Sequence, residues 1–425
     1  MKNSGIEWIG EILDSWDISR VKNCFYLSKT KARQKDPVVL RLARSGVQIK
    51  DVTTNEGQMA ESYEDYNPVC VGDLLLNPMD LYSGANCNVS EVEGVISPAY
   101  QNLRKKVELN PKYFDYFFKI QYWTMAMFAH GKGISFDNRW TINTETILNY
   151  YIPFPSFEVQ NSIVNVLTEK LSQVDDLIAN QEKQIEKLKE YKQSVITEAV
   201  TKGLDKSAPL KDSGIEWIGE INLEHSVWKL KYLLQSPMMY GANESGEMYS
   251  ENSVRYIRIT DITMDSQLKD TEENLYLSTE KAQPYLLKDE DVLFARSGGT
   301  VGKSFIYKSE YGLSAFAGYL IKAECDKEKL LPEYLFFYTQ SSLYELWKNM
   351  IFIQATIQNI GANKYSNMEI IIPSIEGQHK ILNYLKGKCG KIDRLIAIKQ
   401  EKIEKLNEYK KSLIYEYVTG KKEVV

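Results

Sequence analysis

The segment ARSGGTVGKS, residues 295–304, carries the residue types with which a P-loop holds phosphates. A P-loop has the spacing G-x-x-x-x-G-K-[ST] and leads into a helix whose N-terminus faces the anion. Only three residues separate Gly298 from Gly302, and the FIYKSEYG that follows has the composition of a strand. We therefore predict a tight turn with a basic loop here and no nucleotide site.

A second segment with possible chemistry is NPMD at 77–80, which is similar to the Asn-Pro-Pro-aromatic loop of adenine methyltransferases. That loop grips a flipped base by stacking. Met79 and Asp80 stand where the second proline and the aromatic residue are needed, and the chain contains no G-x-G-x-x-G cofactor loop. The segment therefore does not predict a base-modifying site.

The cysteines and histidines do not form a metal-binding pattern. A zinc site needs convergent ligands, and closely spaced Cys or His pairs are its usual sign in a sequence. The five cysteines and three histidines are scattered along the chain: Cys24, Cys70, Cys87, Cys325, Cys389, His130, His225 and His379. No nucleophile elbow, His-based triad or paired-carboxylate motif stands out either, so we predict no catalytic residues, no metal and no cofactor bound by this chain.

The charge of the chain excludes a small, uniformly basic nucleic-acid-binding domain. The net charge is −5 and the pI is near 5.6, whereas such domains usually have a pI above about 9. Local basic surfaces remain possible, because residues 18–35 carry six basic residues and no acidic one. The first residues contain no long apolar run, so we expect neither a signal peptide nor a membrane span, and a cytoplasmic protein.

The chain that must position these residues contains a long internal repeat. The sequence SGIEWIGEI occurs at 4–12 and again at 213–221. From Asp175 onward, 16 of 27 residues are identical to those that begin at Asp393, 218 positions later. A period above 200 residues indicates duplicated domains and not a solenoid.

Between the matched segments the two copies differ in sequence but keep an order of features. Each has an apolar strand with an embedded arginine (39–47 and 255–263) and then a strand after an acidic turn (72–77 and 290–295). Short strands broken by Gly, Asn, Asp and Ser predict a β-rich domain with a few helices.

Each copy then has an aromatic run opened by proline, at 110–123 and 331–347. Such a run could be a stacking platform for single-stranded nucleic acid. The aromatic residues fall at helical spacing, which favours a helix that faces the core, with Tyr113 and Tyr334 packed inside. In the first copy these residues are Tyr113, Phe114, Phe117, Phe118 and Tyr122.

Each repeated helix carries apolar residues at steps of three and four over about four heptads, which is typical of a coiled coil. The seam consists of Leu171, Val174, Ile178, Ile185, Leu188, Val195 and Ala199 in the first copy and of Cys389, Ile392, Ile396, Ile403, Leu406, Leu413 and Tyr417 in the second. We predict that the two helices pair with each other. The direct linker into the second copy favours the antiparallel arrangement.

We therefore predict an α+β fold with a pseudo-two-fold internal repeat, in which two β-rich domains with a few helices are separated by an antiparallel coiled coil of two long helices. The N-terminal copy of SGIEWIGEI is expected to dock beside the end of the second helix and to bring the termini together. The predicted boundaries are 1–155 for the first domain, 156–202 for the first helix region, 203–212 for a linker, 213–373 for the second domain and 374–425 for the second helix region.

These features together resemble the specificity subunits of type I restriction-modification systems. The resemblance rests on the Trp-Ile-Gly segment before each variable domain, on IPFPSFEVQNSIVNVL and IPSIEGQHKILNYL at the start of the helices, and on the EKLKEYKQSVI and EKLNEYKKSLI repeats. It covers essentially all 425 residues. The chain departs mildly from the family at Val159-Gln160 and Gly377-Gln378, where Glu-Gln is frequent.

In that family each variable domain is a target-recognition domain that reads one half of a bipartite DNA site. The helices act as a spacer and as the docking surface for two methyltransferase subunits. The resemblance implies double-stranded DNA, two modification subunits and, through them, a restriction subunit as partners. S-adenosylmethionine, methyl transfer and cleavage would belong to those subunits. Because the two variable domains differ, the half-sites should differ too.

Base edges are read by Arg, Lys, Asn and Gln, whereas contacts to phosphates fix the register. The candidate DNA-binding residues are Arg41, Arg44, Lys132, Asn138 and Arg139 in the first domain and Arg258, Arg296, Lys303, Gln358 and Asn359 in the second. Lys29, Lys31 and Arg33 are candidates for contacts to the DNA backbone, whose loss should reduce the salt dependence of binding. Two other functions stay open, a self-sufficient DNA methyltransferase and a coiled-coil assembly protein that does not bind DNA.

Overall fold

The structure, a computed structural model, describes residues 1–43, 45–53, 60, 62–79, 81, 86–133, 140–263, 265–269, 271, 273–353 and 359–424. The chain forms two compact units, and each unit is built from one β-rich domain and parts of both long helices. The first unit is Met1–Gln181 with Gln400–Val425, and the second unit is Glu182–Lys399.

The first unit is organised around a four-stranded antiparallel sheet with the order β4-β11-β8-β9. Short two-stranded ribbons pair β1 with β2, β3 with β12, β5 with β6, and β7 with β10. The strands are β1 (Lys2–Asn3), β2 (Glu11–Ile12), β3 (Asp17–Arg20), β4 (Phe25–Leu27), β5 (Leu40–Ala43), β6 (Gly46–Ile49), β7 (Asn67–Val69), β8 (Leu74–Leu76), β9 (Cys87–Val89), β10 (Gly94–Ile96), β11 (Gln101–Lys105) and β12 (Tyr151–Phe154). The helices are α1 (Val21–Cys24), α2 (Pro111–Trp123), α3 (Thr144–Asn149) and the long α4 (Phe157–Lys202), with a 3-10 turn at Phe128–His130.

The second unit repeats this plan with a sheet of the order β16-β22-β19-β20, and it adds the three-stranded sheet β18-β17-β21. The strands are β13 (Leu210–Asp212), β14 (Glu220–Asn222), β15 (Ser226–Lys229), β16 (Met239–Tyr240), β17 (Ser253–Ile257), β18 (Tyr276–Ser278), β19 (Val292–Ala295), β20 (Ser304–Ile306), β21 (Ser314–Phe316), β22 (Leu320–Ala323) and β23 (Glu369–Ile372). The helices are α5 (Thr279–Ala282), α6 (Pro332–Tyr338), α7 (Ser342–Ile353), α8 (Ala362–Ser366) and the long α9 (Ile375–Val418). The 3-10 turns are Leu230–Leu233, Ile259–Asp261, Gln283–Tyr285 and Ser309–Tyr311. The fold class predicted from the sequence is confirmed.

The strands predicted after the acidic turns are the central strands β8 and β19, and both are fully buried. Each begins beside a buried aspartate that accepts a hydrogen bond from the backbone N–H three residues earlier. In the first unit Asp73 pairs with Arg104 at 2.7 Å, and in the second Asp291 pairs with Lys322 at 3.5 Å. The duplication therefore extends to buried charges in regions where the sequences have diverged.

The aromatic runs form helices that face the core, as predicted. Asn110 caps α2 by accepting a hydrogen bond from the N–H of Lys112, and Pro111 occupies the first turn. Tyr113 and Tyr334 are both completely buried, so these runs do not offer the stacking platform that was considered. The second run is divided between α6 and α7.

Two buried tyrosines hold the ends of the long helices. The hydroxyl of Tyr113 donates to the carbonyl oxygen of Val418 at 2.9 Å, at the end of α9 in the first unit. In the second unit the hydroxyl of Tyr334 lies 3.0 Å from the carbonyl of Ile371 and 3.4 Å from that of Val200, near the end of α4. In the first unit the domain is therefore fixed to the end of α9, which follows it much later in the chain. In the second unit the domain is fixed to the end of α4, which precedes it in the chain.

The repeated segment SGIEWIGEI forms the same hairpin in both units. The N–H of Ser4 donates to the carbonyl of Gly10 at 2.9 Å, and that of Ser213 to the carbonyl of Gly219 at 3.0 Å. Both closing glycines have a positive φ, 68° and 72°, which explains why glycine stands there twice.

The N-terminal hairpin packs against the end of α9, which confirms its predicted docking within the first unit. Leu13 and Trp16 lie beside Gly420, and Trp16 shares one apolar core with Leu413 and Tyr417. The second hairpin packs against the end of α4 in the same way, since Ile218 and Ile221 share a core with Val200, and Asn222 Nδ2 also donates to the carbonyl of Lys202 at 3.0 Å.

Within each unit the two helix segments run antiparallel. In the second unit Lys192 pairs with Asp393 at 2.8 Å and Lys399 contacts Gln184, so the numbers fall along one helix as they rise along the other. In the first unit the repeat-related pair joins Lys410 and Asp175. The predicted seam residues of α4 are buried or half-buried.

The two strands predicted around an embedded arginine are only partly right. The apolar run 39–47 is not one strand, because β5 ends at Ala43 and β6 returns from Gly46. The run 255–263 leaves the strand after Ile257 and enters a 3-10 turn. In both cases a local turn ends an apolar pattern that would otherwise continue as a strand.

A buried glutamine at the start of each long helix joins that helix to its domain. Gln378 is fully buried, accepts a hydrogen bond from the N–H of Leu331 at 2.9 Å and donates to the carbonyl of Lys329 at 2.8 Å. Gln160 likewise accepts from the N–H of Asn110 at 2.8 Å. These bonds satisfy partly buried backbone groups that precede α6 and α2.

We expect Gln378→Leu to lower the free energy of unfolding of the second unit by about 2 kcal/mol, because two partly buried backbone groups lose their partners. Chemical denaturation of the full chain measures this loss. Gln400→Leu is the matched control, since Gln400 is an exposed glutamine of the same helix. Equal unfolding midpoints for the two variants would contradict the assigned role.

Candidate nucleic-acid interface

The two segments that suggested chemistry occupy equivalent places in the two units. RSGGTVGK is the turn that joins β19 to β20, and Asn77–Met79 of NPMD directly follow β8, whereas Asp80 lies outside the described residues. Ala295 and Asn77, the last residues before these turns, are 218 positions apart. The structure therefore relates the two segments as variants of one hairpin position.

The turn between β19 and β20 is fixed by its own backbone. The N–H of Ala295 donates to the carbonyl of Lys303 at 2.8 Å, and the N–H of Gly302 donates to the carbonyl of Ala295 at 2.9 Å. Gly298 and Gly302 have φ values of 78° and 85°, which L side chains rarely adopt. Because Ser304–Ile306 is a strand, the geometry of a P-loop is absent and the predicted turn is confirmed.

Two buried tyrosines hold the two ends of this turn. Tyr365 donates its hydroxyl to the carbonyl of Ala295 at 2.9 Å, and Tyr344 donates to the carbonyl of Gly302. Burial raises the pKa of both phenols, so both stay protonated and act as donors. The acceptors are main-chain atoms, and the clamp therefore does not specify which side chains the turn carries.

A second segment of each domain returns to the same turn. In the second unit the N–H of Ile360 donates to the carbonyl of Arg296 at 2.8 Å. In the first unit the N–H of Ile142 donates to the carbonyl of Pro78 at 2.9 Å. Tyr122 supplies the first unit's tyrosine contact, from its hydroxyl to the carbonyl of Asn77 at 2.8 Å. The same backbone framework thus presents two different turn sequences.

Arg296 is anchored through its main chain and its ring contact. Its N–H donates to the carbonyl of Tyr319 at 3.0 Å, and its guanidinium carbon lies 4.9 Å from the centre of the Tyr240 ring. Its Nη1 is 3.4 Å from the carbonyl of Gly318, and its buried Nε has no hydrogen-bond partner among the described residues. No carboxylate is paired with it in the part of the chain that the structure describes.

Two other candidates of the second unit lie at the same turn. Ser297 and Asn359 form a backbone bridge, and Asn359 is exposed. Lys303 closes the turn, and its Nζ donates to the carbonyl of Thr263 at 3.3 Å. Partial burial lowers the pKa of Lys303. The structure thus gathers three residues that are up to 63 positions apart in the sequence, Arg296, Lys303 and Asn359.

Arg258 is engaged by an acidic neighbour. Its Nη2 lies 2.8 Å from Asp261 Oδ1 and its Nε lies 3.2 Å from Asp261 Oδ2. The hydrogen bond to Asp261 raises the pKa of Arg258, and the carboxylate is largely buried. This pairing favours a role in holding the 3-10 turn, because its loss would leave a buried carboxylate without its partner.

The described candidate residues of the first unit are exposed, and most of them make few polar contacts. Arg41 on β5 donates to Gln48 Oε1 at 2.9 Å across the ribbon, and Lys132 forms a backbone bridge with Thr141, beside the return segment. Lys29 donates to Thr144 Oγ1 at 3.2 Å, at the start of α3. Lys31 pairs with Asp65 at 2.9 Å in an exposed ion pair of the kind that contributes little to stability.

Arg33 has an unusual backbone conformation for a side-chain-bearing residue. Its φ is 51°, and its N–H donates to the carbonyl of Glu64 at 2.9 Å. The remaining candidates, Arg44, Asn138, Arg139 and Gln358, lie outside the described residues.

Tyr240 and Tyr319 belong to this site and were missed by the sequence analysis. Tyr319 is 62% exposed and Tyr240 is 41% exposed, so both rings are accessible beside the turn. The only sequence signal was a glycine next to each tyrosine, in GYL and MYG, which does not distinguish them from the other tyrosines of the chain.

The described residues contain no group of His, Cys, Asp and Glu that would hold a metal ion. The cysteines are free thiols, and four of the five are buried. Among the described helices, none is long and apolar enough to cross a membrane.

We expect the double variant Tyr344→Phe with Tyr365→Phe to loosen the turn between β19 and β20. Each lost hydrogen bond costs about 1 kcal/mol, so the amides of residues 295–303 should exchange about fivefold to thirtyfold faster. Hydrogen exchange read by mass spectrometry measures this change. Tyr384→Phe, at an exposed tyrosine of α9, is the matched control. Unchanged exchange in the turn would show that the tyrosines do not hold it.

Comparison with known proteins shows which proteins this chain is similar to. Residues 241–408 match the family model of the type I restriction modification DNA specificity domain. The chain is 25% identical over 363 residues to the type I restriction enzyme MjaVIII specificity subunit of Methanocaldococcus jannaschii, which covers 82% of this chain and 80% of that protein. It is 22% identical over 430 residues to the EcoBI specificity subunit of Escherichia coli, with 97% and 86% covered.

The fold is also that of a chain in a solved structure, described as the structural basis of complex assembly and conformational transition of the type I R-M system. The TM-score is 0.68 at 14% sequence identity, and the match covers 96% of this chain and 98% of that chain. The domain match covers residues 241–408 and the likeness to specificity subunits extends over nearly the whole chain, so the resemblance to type I restriction-modification specificity subunits that the sequence predicted is confirmed.

Proposed function

We propose that this chain is the non-catalytic DNA-recognition subunit of a type I restriction-modification complex and that it reads an asymmetric bipartite site, one half with each β-rich domain. The observation that carries the proposal is the pair of equivalent hairpin turns. The bonds from Ile142 to Pro78 and from Ile360 to Arg296 place both turns on one framework. A two-stranded ribbon fits the major groove, and different side chains at its tip read different bases.

The reactive chemistry belongs to partner subunits in this proposal. S-adenosylmethionine is expected on the methyltransferase subunit, and cleavage on a restriction subunit bound through it. The sequence of NPMD supports this assignment, since Met79 and Asp80 stand where a base-gripping loop has a second proline and an aromatic residue.

The exposed apolar side chains of the long helices support docking of two partner subunits. Leu177 and Leu395 are 47% and 48% exposed, and Tyr191 and Tyr409 are 48% and 52% exposed. The members of each pair are 218 positions apart. Exposed apolar residues that recur at equivalent positions are typical of an interaction surface.

These residues form one combination in each unit. In the first unit the ion pair of Asp175 with Lys410 places Leu177 and Tyr409 at the same level of the paired helices. In the second unit the ion pair of Lys192 with Asp393 does the same for Tyr191 and Leu395. The repeat thus offers one equivalent surface in each unit, as the binding of two identical subunits requires.

The recognition role is tested by sequencing methylated adenine in a methylation-free host. The chain is expressed alone and then with its neighbouring methyltransferase subunit. We expect methylation only with the partner, at one asymmetric motif divided by a fixed gap. Methylation by the chain alone would make it a methyltransferase. Absence of any sequence-selective DNA binding by the purified complex would instead favour the assembly protein.

The docking role predicts a change in stoichiometry. Leu177→Asp with Tyr409→Asp should remove one bound methyltransferase subunit of two, because each substitution places a charge in an apolar contact. Tyr191→Asp with Leu395→Asp should do the same at the other surface, and all four together should abolish the complex. Native mass spectrometry counts the subunits. Gln173→Asp with Gln400→Asp, at exposed polar positions of the same helices, should leave two subunits bound.

A further inference from the structure

The second β-rich domain contains three arginines, and their surroundings differ in a way that separates their roles. Arg258 is paired with Asp261, and Arg255 donates to the carbonyl of Lys269 and to Asn274 Oδ1. Arg296 has one long contact, at 3.4 Å, from Nη1 to the carbonyl of Gly318. Of the three arginines, Arg296 therefore has the fewest hydrogen-bond partners within the domain to compensate its positive charge.

The position of Arg296 is fixed by its main chain and by an aromatic ring, and not by an ion pair. Its main-chain N–H and carbonyl are both bonded, to Tyr319 and Ile360. The guanidinium lies against the ring of Tyr240, and the hydroxyl of Tyr240 accepts a hydrogen bond from the N–H of Ala362 at 2.9 Å. A cation held by its face to an aromatic ring keeps its N–H groups directed outward in its plane.

The surroundings of Arg296 admit a large ligand. A Cβ at Gly298 or Gly299 would meet nothing within 4 Å, so the tip of the turn is open. Tyr319 and Asn359 flank the turn and are exposed. The major groove of DNA is about 12 Å wide and accepts a two-stranded ribbon of this kind.

We infer that Arg296 reads one guanine in the half-site of the second domain, through paired N–H groups directed at O6 and N7. A guanidinium donates two parallel hydrogen bonds, and guanine is the base that offers two acceptors at its major-groove edge. The inference rests on the proposed function and deepens it by naming a base and a residue. The equivalent residue of the first unit is Pro78, which has no side-chain donor, so this contact exists in one half-site only.

The test compares methylated motifs of variants in the complex with the methyltransferase subunit. The wild-type motif must contain a guanine in one half-site. Arg296→Ala should relax that one position, lowering its discrimination for guanine by about 5- to 150-fold, while all other positions stay strict. Arg296→Lys keeps the charge but not the fork, so it should relax the same position with more total methylation. Lys308→Ala removes an exposed charge of the same domain and should leave the motif unchanged.

The outcomes separate this inference from the proposed function. If the wild-type complex methylates no bipartite motif, the proposed function fails before any variant is compared. If it does, a motif without guanine in the half-site concerned, or an unaltered motif in both Arg296 variants, overturns the guanine contact alone. Should Arg296→Ala prevent folding, the Arg296→Lys motif decides, since strict guanine there contradicts the inference and relaxed guanine supports it.

Discussion

The structure depends on a constraint at the ends of the long helices, where the last carbonyl groups have no partner within the helix. In the first unit Tyr113 supplies one donor from the core of a domain more than 300 residues away, to the carbonyl of Val418. The same core encloses Trp16, Leu413 and Tyr417, so the bond is buried and costly to break. Each unit is held together in this manner from segments that are distant in the chain. The tyrosine adds a tertiary partner to a helix end that Gly420, with a φ of 71°, also terminates locally.

The framework fixes backbone atoms and leaves side chains free at the candidate interface. The clamps on the hairpin turns end on the carbonyl groups of Asn77, Pro78, Ala295 and Arg296. A residue at the tip can change without loss of these hydrogen bonds, because every residue has a carbonyl group. This separation explains how a duplicated framework tolerates two unrelated turn sequences. It is also what a protein needs if its two halves are to read different bases.

Much of this organisation could be predicted from the residues. The duplication, the paired helices, the buried aromatic runs and the turn at 295–304 follow from identity, heptad spacing and glycine positions, which are local signals. The pairing of Arg258 with Asp261 is local too, but three-residue spacing alone does not distinguish it from chance. The apolar run at 39–47 was wrongly taken as one strand, because its pattern continues through a hairpin that begins again at Gly46.

Two copies of one domain joined by two helices can be predicted from the residues alone, since periodicity and repetition are properties of the chain. Which cations are available at the surface depends instead on the fold. Arg258 and Arg296 look equivalent in the sequence, yet one is paired with Asp261 and the other lies on Tyr240, which is 56 positions away from it. Availability depends on what surrounds a charge in space, and residues distant in the chain supply those surroundings.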